Sequence, residues 1–131
     1  MEEFSELQRF VDAQDPIYGR VCSELRRGRK ETHWMWFVFP QMRGLGHSAM
    51  AYKYGIASQA EAEAYLRHPV LGPRLRECTG LVNQTAGTSI DEVFGYPDNL
   101  KFRSCMTLFA SATPDNAVFL KALEKATTAE S

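Results

Sequence analysis

The sequence predicts a mainly α-helical, compact single domain of about seven or eight short helices with no significant sheet. Three observations predict it. Apolar residues recur at three- and four-residue spacing along most of the chain, and helix-start signals punctuate them. No second run rich in β-branched residues, and no Asn-Gly or Asp-Gly hairpin, offers a strand a partner. The domain is expected over 1–126, with 127–131 as a frayed tail.

The elements follow in order. Residues 3–14 set Phe4, Leu7, Phe10 and Val11 on one helical face. Asp15-Pro16 reads as an N-cap with proline at the first helical position, opening a helix with Ile17, Val21 and Leu25 inward and Gly28 as its terminator. Residues 33–39 hold six consecutive large apolar side chains before Pro40, a pattern that fits a buried strand or a buried helix. A lone strand would leave its backbone groups unpaired, which favours a short helix capped by Thr32. Gly44 and Gly46 mark a loop, and Ser48 can cap a helix through Tyr54.

Ser58-Gln59-Ala60-Glu61 has the capping-box form and starts a helix to about Arg67. After His68-Pro69, Leu71, Leu75, Cys78 and Val82 repeat at helical spacing, and Pro73 is tolerable only within the first turn. Ser89-Ile90-Asp91-Glu92 is a second capping-box match, stopped by Gly95. Asp98 is expected to cap a helix carrying Phe102, Cys105, Met106 and Phe109. Thr113-Pro114 is expected to open the last helix.

Composition narrows the function classes. With 131 residues, 44% of them apolar and 24% charged, the chain can bury a core without a metal or disulfide. Fifteen basic against sixteen acidic residues disfavour a dedicated nucleic-acid binder. Locally, however, Arg20, Arg26, Arg27, Arg29 and Lys30 face only Glu24. Three cysteines, odd in number and outside any CxxC pair, and no signal-peptide pattern point to free thiols in the cytoplasm. The longest apolar run, 34–39, is too short to cross a bilayer.

Function concentrates in 29–48. Both tryptophans lie here, after a cationic pair and before Gly44-Leu45-Gly46-His47-Ser48. Glycines let a ligand approach the backbone, and a helix starting at Ser48 would direct N–H groups at an anion. Arg29, Lys30 and Arg43 supply positive charge, and Trp34 or Trp36 a stacking surface. The competing reading is that the apolar run is core and the basic cluster a solvated helix end.

His33 is the candidate for proton transfer, since histidine titrates near neutrality. His47 is read as a loop residue and His68 as a helix cap. Asp98, Lys101 and Ser104 line one helical face; facing the glycine loop they would orient a polar ligand. Ser48 and Ser104 lack a G-x-S-x-G setting, and Cys105 on an apolar face is expected to be inert. With no HxxxH or CxxC spacing, neither a metal nor a cofactor is expected.

The blocks GRKETHWMWFVFPQMRGLGHSAMAYKYGI, EAEAYLRHPVLGPRL and VFGYPDNLKFRSCMTLFA resemble a bacterial domain family of unknown function, over about residues 7–110. Some members of that family carry the label calpastatin, although that inhibitor is a disordered repeat protein. The resemblance implies a mainly helical single domain. Its signature positions match here at Arg29, Lys30, His33, Trp34, Trp36, Pro40, Gln41, Gly44, Gly46, Ser48, Tyr54, Pro69, Leu71, Gly95, Asp98, Lys101 and Ser104. Gln41, Tyr54 and Ser104 thereby join the candidate ligand-binding set, with His33 and Asp98 as candidate catalytic residues. The leading expectation is a pocket for a small anionic or nucleotide-like ligand, with hydrolysis as its catalytic form. The alternative is a protein-interaction module or homodimer using exposed aromatics.

Overall fold

In the computed structural model, which describes residues 2–85 and 87–127, nine α-helices follow a 3-10 segment over Glu2–Leu7. They are α1 (Gln8–Gln14), α2 (Tyr18–Arg26), α3 (Met35–Val38), α4 (Ala49–Lys53), α5 (Gln59–Arg67), α6 (Leu71–Asn83), α7 (Ile90–Phe94), α8 (Asp98–Ala110) and α9 (Ala117–Thr127). The total exceeds the expected seven or eight because α3, α4 and α7 are only four or five residues long. Among the described residues β-pairing amounts to one isolated parallel bridge, Met42–Ile56. Thr127 is the last helical residue; the rest of the expected tail lies outside the described residues.

The apolar run of 33–39 is helical over α3, as the want of a partner strand implied. Its start differs, however. Trp34 occupies the N-cap position, and Thr32 is turned to Glu24. Asp15 likewise does not cap α2: it closes α1, α2 begins at Tyr18, and the Asp15 carboxylate pairs with Arg74 at 2.9 Å. Asp98 lies inside α8, one residue past its N-cap Pro97, and is drawn to two lysines. The last helix starts at Ala117, three residues after Pro114, while Thr113 accepts from the Asp115 N–H. Thr32, Asp15 and Asp98 each engage a charged side chain in place of the helix end that local sequence assigned to them.

Other local signals hold. Gly28 and Gly95 end α2 and α7 with φ of +74° and +73°, a region that L side chains rarely adopt. Ser48 caps α4 and Ser58 caps α5, each accepting from the third N–H on. His68 Nδ1 accepts from the N–H groups of Val70 and Leu71, which makes it the cap before α6. At Ser89 the reciprocal box is complete: Ser89 Oγ accepts from Glu92 N at 3.1 Å and the Glu92 carboxylate accepts from Ser89 N at 2.9 Å. Ser89→Ala should therefore cost about 1 kcal/mol. A denaturant midpoint unchanged from wild type would show that α7 is held by packing alone.

Helix α6 packs on α2, α5 and α9, and α8 packs on α5, α7 and α9. Between them runs a continuous aromatic core. Phe39 meets Phe102 edge-on at 5.0 Å, Phe102 stacks on Phe94 at 4.7 Å, and Tyr65 meets Phe109 at 5.1 Å. Burying these rings supplies the main driving force for collapse. It also pins α3 against α8, which brings the 29–48 segment to the first turns of α8. No helix among the described residues is long and apolar enough to cross a membrane.

Candidate functional site

The site is built on a buried acid. Glu24 sits on the inward face of α2 at 1% exposure. Its Oε1 accepts from Glu31 N at 2.8 Å, Thr32 N at 3.1 Å and the Trp34 indole N–H at 2.9 Å, and its Oε2 accepts from Thr32 Oγ1 at 2.7 Å. Burial opposes the ionised form, but these donors outweigh it and hold the carboxyl down at about 2. Glu24 thus fixes the turn that carries Arg29 to Trp34. A further bond, Lys30 N to Val93 O at 2.8 Å, ties that turn to α7.

Lys30 is delivered into a charge cluster. Its Nζ lies 2.9 Å from Asp98 Oδ2, and the two side chains are 8% and 20% exposed. Lys101 Nζ lies 3.8 Å from Asp98 Oδ1, beyond hydrogen-bond range. Two ammonium groups therefore share one carboxylate, and Lys101 is the weakly held member. Each also sits over an indole, Lys30 over Trp34 at 5.1 Å and Lys101 over Trp36 at 5.6 Å.

Beside Lys101 lies a narrow hollow whose walls include Trp36, Phe39, Gln41, Ala51, Tyr54 and Lys101. About 10 Å³ of it is open to the centre of a water molecule, roughly what one water needs. The wall over 41–55 is held by Arg43 N to Ile56 O at 2.8 Å and Ile56 N to Gln41 O at 2.9 Å. Gly46 packs against two of its wall residues, Ala51 and Gln41. A Cβ there would fall 2.7 Å from Ala51 Cβ and 3.6 Å from Gln41 Nε2, so only glycine lets the loop lie this close.

The sequence-predicted residues divide accordingly. Lys30, Asp98 and Lys101 converge, and Gln41, Tyr54 and Lys101 line the hollow. Gly44, at φ +104°, shapes the turn, and Ser48 Oγ is engaged in capping. Helix α4, with five residues, is too short to supply the anion-binding terminus expected at Ser48. Trp34 is 1% exposed with its N–H given to Glu24, so its ring is core rather than a stacking surface. His33 and Arg29 are exposed and do not line the hollow. Ser104 is half-buried on α8 and also lies outside the lining.

One residue, Glu24, escaped sequence reasoning. Glu24 was legible in principle, since it occupies a helical position flanked by buried Val21 and Leu25. Trp36 weighs as core by composition, yet it is half-buried and forms a wall of the hollow. Among the described residues no three His, Cys, Asp or Glu side chains are grouped to hold a metal ion.

Fold and site together define an all-helical domain with a lysine-edged aromatic hollow. The chain belongs to the family described as "Protein of unknown function (DUF1810)", which it matches over residues 4–131. The crystal structure of the conserved hypothetical protein Rv1873 from Mycobacterium tuberculosis, at 1.38 Å, is similar to it at a TM-score of 0.91 and 62% identity, covering 92% of this chain and 86% of that one. No match was found among curated proteins.

Proposed function

We propose that the hollow beside Lys101 binds the anionic group of a small molecule, with Trp36 as the apolar face for an attached ring. The observation that carries this reading is the imbalance of charge: Lys30 and Lys101 share the single carboxylate of Asp98, and Lys101 is held only at 3.8 Å. Keeping an ammonium half out of water without a full counter-charge is unfavourable, and a phosphate or carboxylate supplies what is missing. Gln41 adds an amide at the same opening. The hollow has room for about one water, so a larger group requires the 41–55 wall to part from α8.

Asp98 acts here as an orienting anion, since both of its oxygens face ammonium groups. Exposed His33 does not line the hollow, so the function proposed is binding, with no reaction assigned. The test is thermal denaturation with inorganic pyrophosphate, nucleoside diphosphates and sugar phosphates. A ligand at roughly 100 times its Kd adds about 2.7 kcal/mol. Lys101→Met should abolish the gain; a panel without effect at millimolar concentration overturns the reading.

A protein partner is the second reading, favoured by Tyr96 at 82%, Tyr52 at 65% and Leu45 at 59% exposure. Capture of a partner lost on Tyr96→Ala and kept by Lys101→Met would support it over the first.

A further inference from the structure

Far from the lysine cluster, α2 and α6 bring two thiols together. Cys22 on α2 and Cys78 on α6 come together where the two helices pack, one helical turn from Tyr18. Cys78 Sγ also donates to the Tyr18 hydroxyl at 3.7 Å, and that hydroxyl donates to the Glu77 carboxylate. Arg74 covers the Tyr18 ring at 4.7 Å. Cys22 stands at the edge of this cluster, 5% exposed, with Cys78 fully buried behind it. The third thiol, Cys105, is fully buried elsewhere, and burial pushes its pKa well up.

We propose that Cys22 and Cys78 form a redox-active dithiol that a hydroperoxide converts into an intramolecular disulfide joining α2 to α6. Thiols brought together by packed helices need little movement to reach the S–S distance of about 2.05 Å. The arrangement also separates their roles. The bond from Cys78 lowers the Cys22 thiol to about 6, helped by Tyr18 and by the charge of Arg26 against burial and Glu77. The same contact, with burial, raises Cys78. Cys22, the less enclosed of the two at 5% exposure, is therefore the nucleophile, and fully buried Cys78 the resolving thiol.

In the first step the Cys22 thiolate attacks a peroxide oxygen. The S–O bond forms as the O–O bond breaks, and the departing alkoxide or hydroxide takes up a proton. In the second step the Cys78 sulfur attacks the Cys22 sulfenic acid. The S–S bond forms, the S–O bond breaks, and the hydroxide leaves with the Cys78 proton as water. Two electrons pass from the dithiol to the peroxide.

The test is native treatment with hydrogen peroxide, followed by denaturation, maleimide alkylation and peptide mapping. Expected is loss of the mass of two hydrogen atoms, a single alkylated cysteine at Cys105, and one linked peptide pair containing Cys22 and Cys78. Cys78→Ser should instead leave Cys22 trappable by a 1,3-diketone as a sulfenic acid. Three alkylated cysteines, a linkage between molecules, or sulfinic Cys22 with Cys78 still alkylatable would each overturn the proposal. The wild-type map decides even if the serine variant fails to fold.

Discussion

Glu24→Ala is expected to lower unfolding free energy by about 4 kcal/mol, because it strips acceptors from buried donors at about 1–3 kcal/mol each. Those donors are the N–H groups of Glu31 and Thr32, the Thr32 hydroxyl and the Trp34 indole. Glu24→Gln keeps one acceptor oxygen, so its loss should be about half as large. The pH dependence separates charge from shape. The Glu24 carboxyl falls from 4.5 to about 2 on folding, a difference of about 3 kcal/mol. A depressed folded value means the stabilisation is fully present above pH 4.5 and is lost as pH falls through 2. Urea midpoints of wild type and Glu24→Gln should therefore converge across that window; a gap independent of pH would assign the effect to packing.

Asp98→Asn is expected to act in two opposite directions. Removing the carboxylate leaves Lys30, at 8% exposure, without its counter-charge, and the fold should lose about 2 kcal/mol. The same change leaves two unbalanced ammonium groups, one of them Lys101 at the hollow, so stabilisation by added pyrophosphate should grow. The double variant Asp98→Asn with Lys30→Met should recover most of the lost stability, since it removes the orphaned cation. If Asp98→Asn weakens pyrophosphate binding as much as Lys101→Met does, then Asp98 holds the ligand directly and the charge argument is wrong.

The sequence analysis and the structure part company at identifiable places. Helical spacing and the serine caps are local, and α5, α6 and the Ser89 box follow from them. The starts of α2 and α8 do not, because Asp15 pairs with Arg74 and Asp98 with Lys30, both remote in sequence. The site divides in the same way. Lys30, Asp98 and Lys101 were legible as charges on suitable faces. Choosing between Trp34 and Trp36 requires knowing which indole faces Glu24, and that depends on how the turn of 29–34 folds back on α2. Two residues apart on a tight turn, they have opposite fates, one in the core and one at the hollow.

That difference supplies the sharpest test. With tryptophan side chains labelled with nitrogen-15, the two indole N–H resonances report separately on Trp34 and Trp36, assigned by Trp36→Phe. Titration with inorganic pyrophosphate should move the Trp36 signal in a saturable way, leave the Trp34 signal nearly still, and move neither signal in Lys101→Met. Signals unmoved at millimolar pyrophosphate, or an equal response in Lys101→Met, would contradict an anion site beside Lys101.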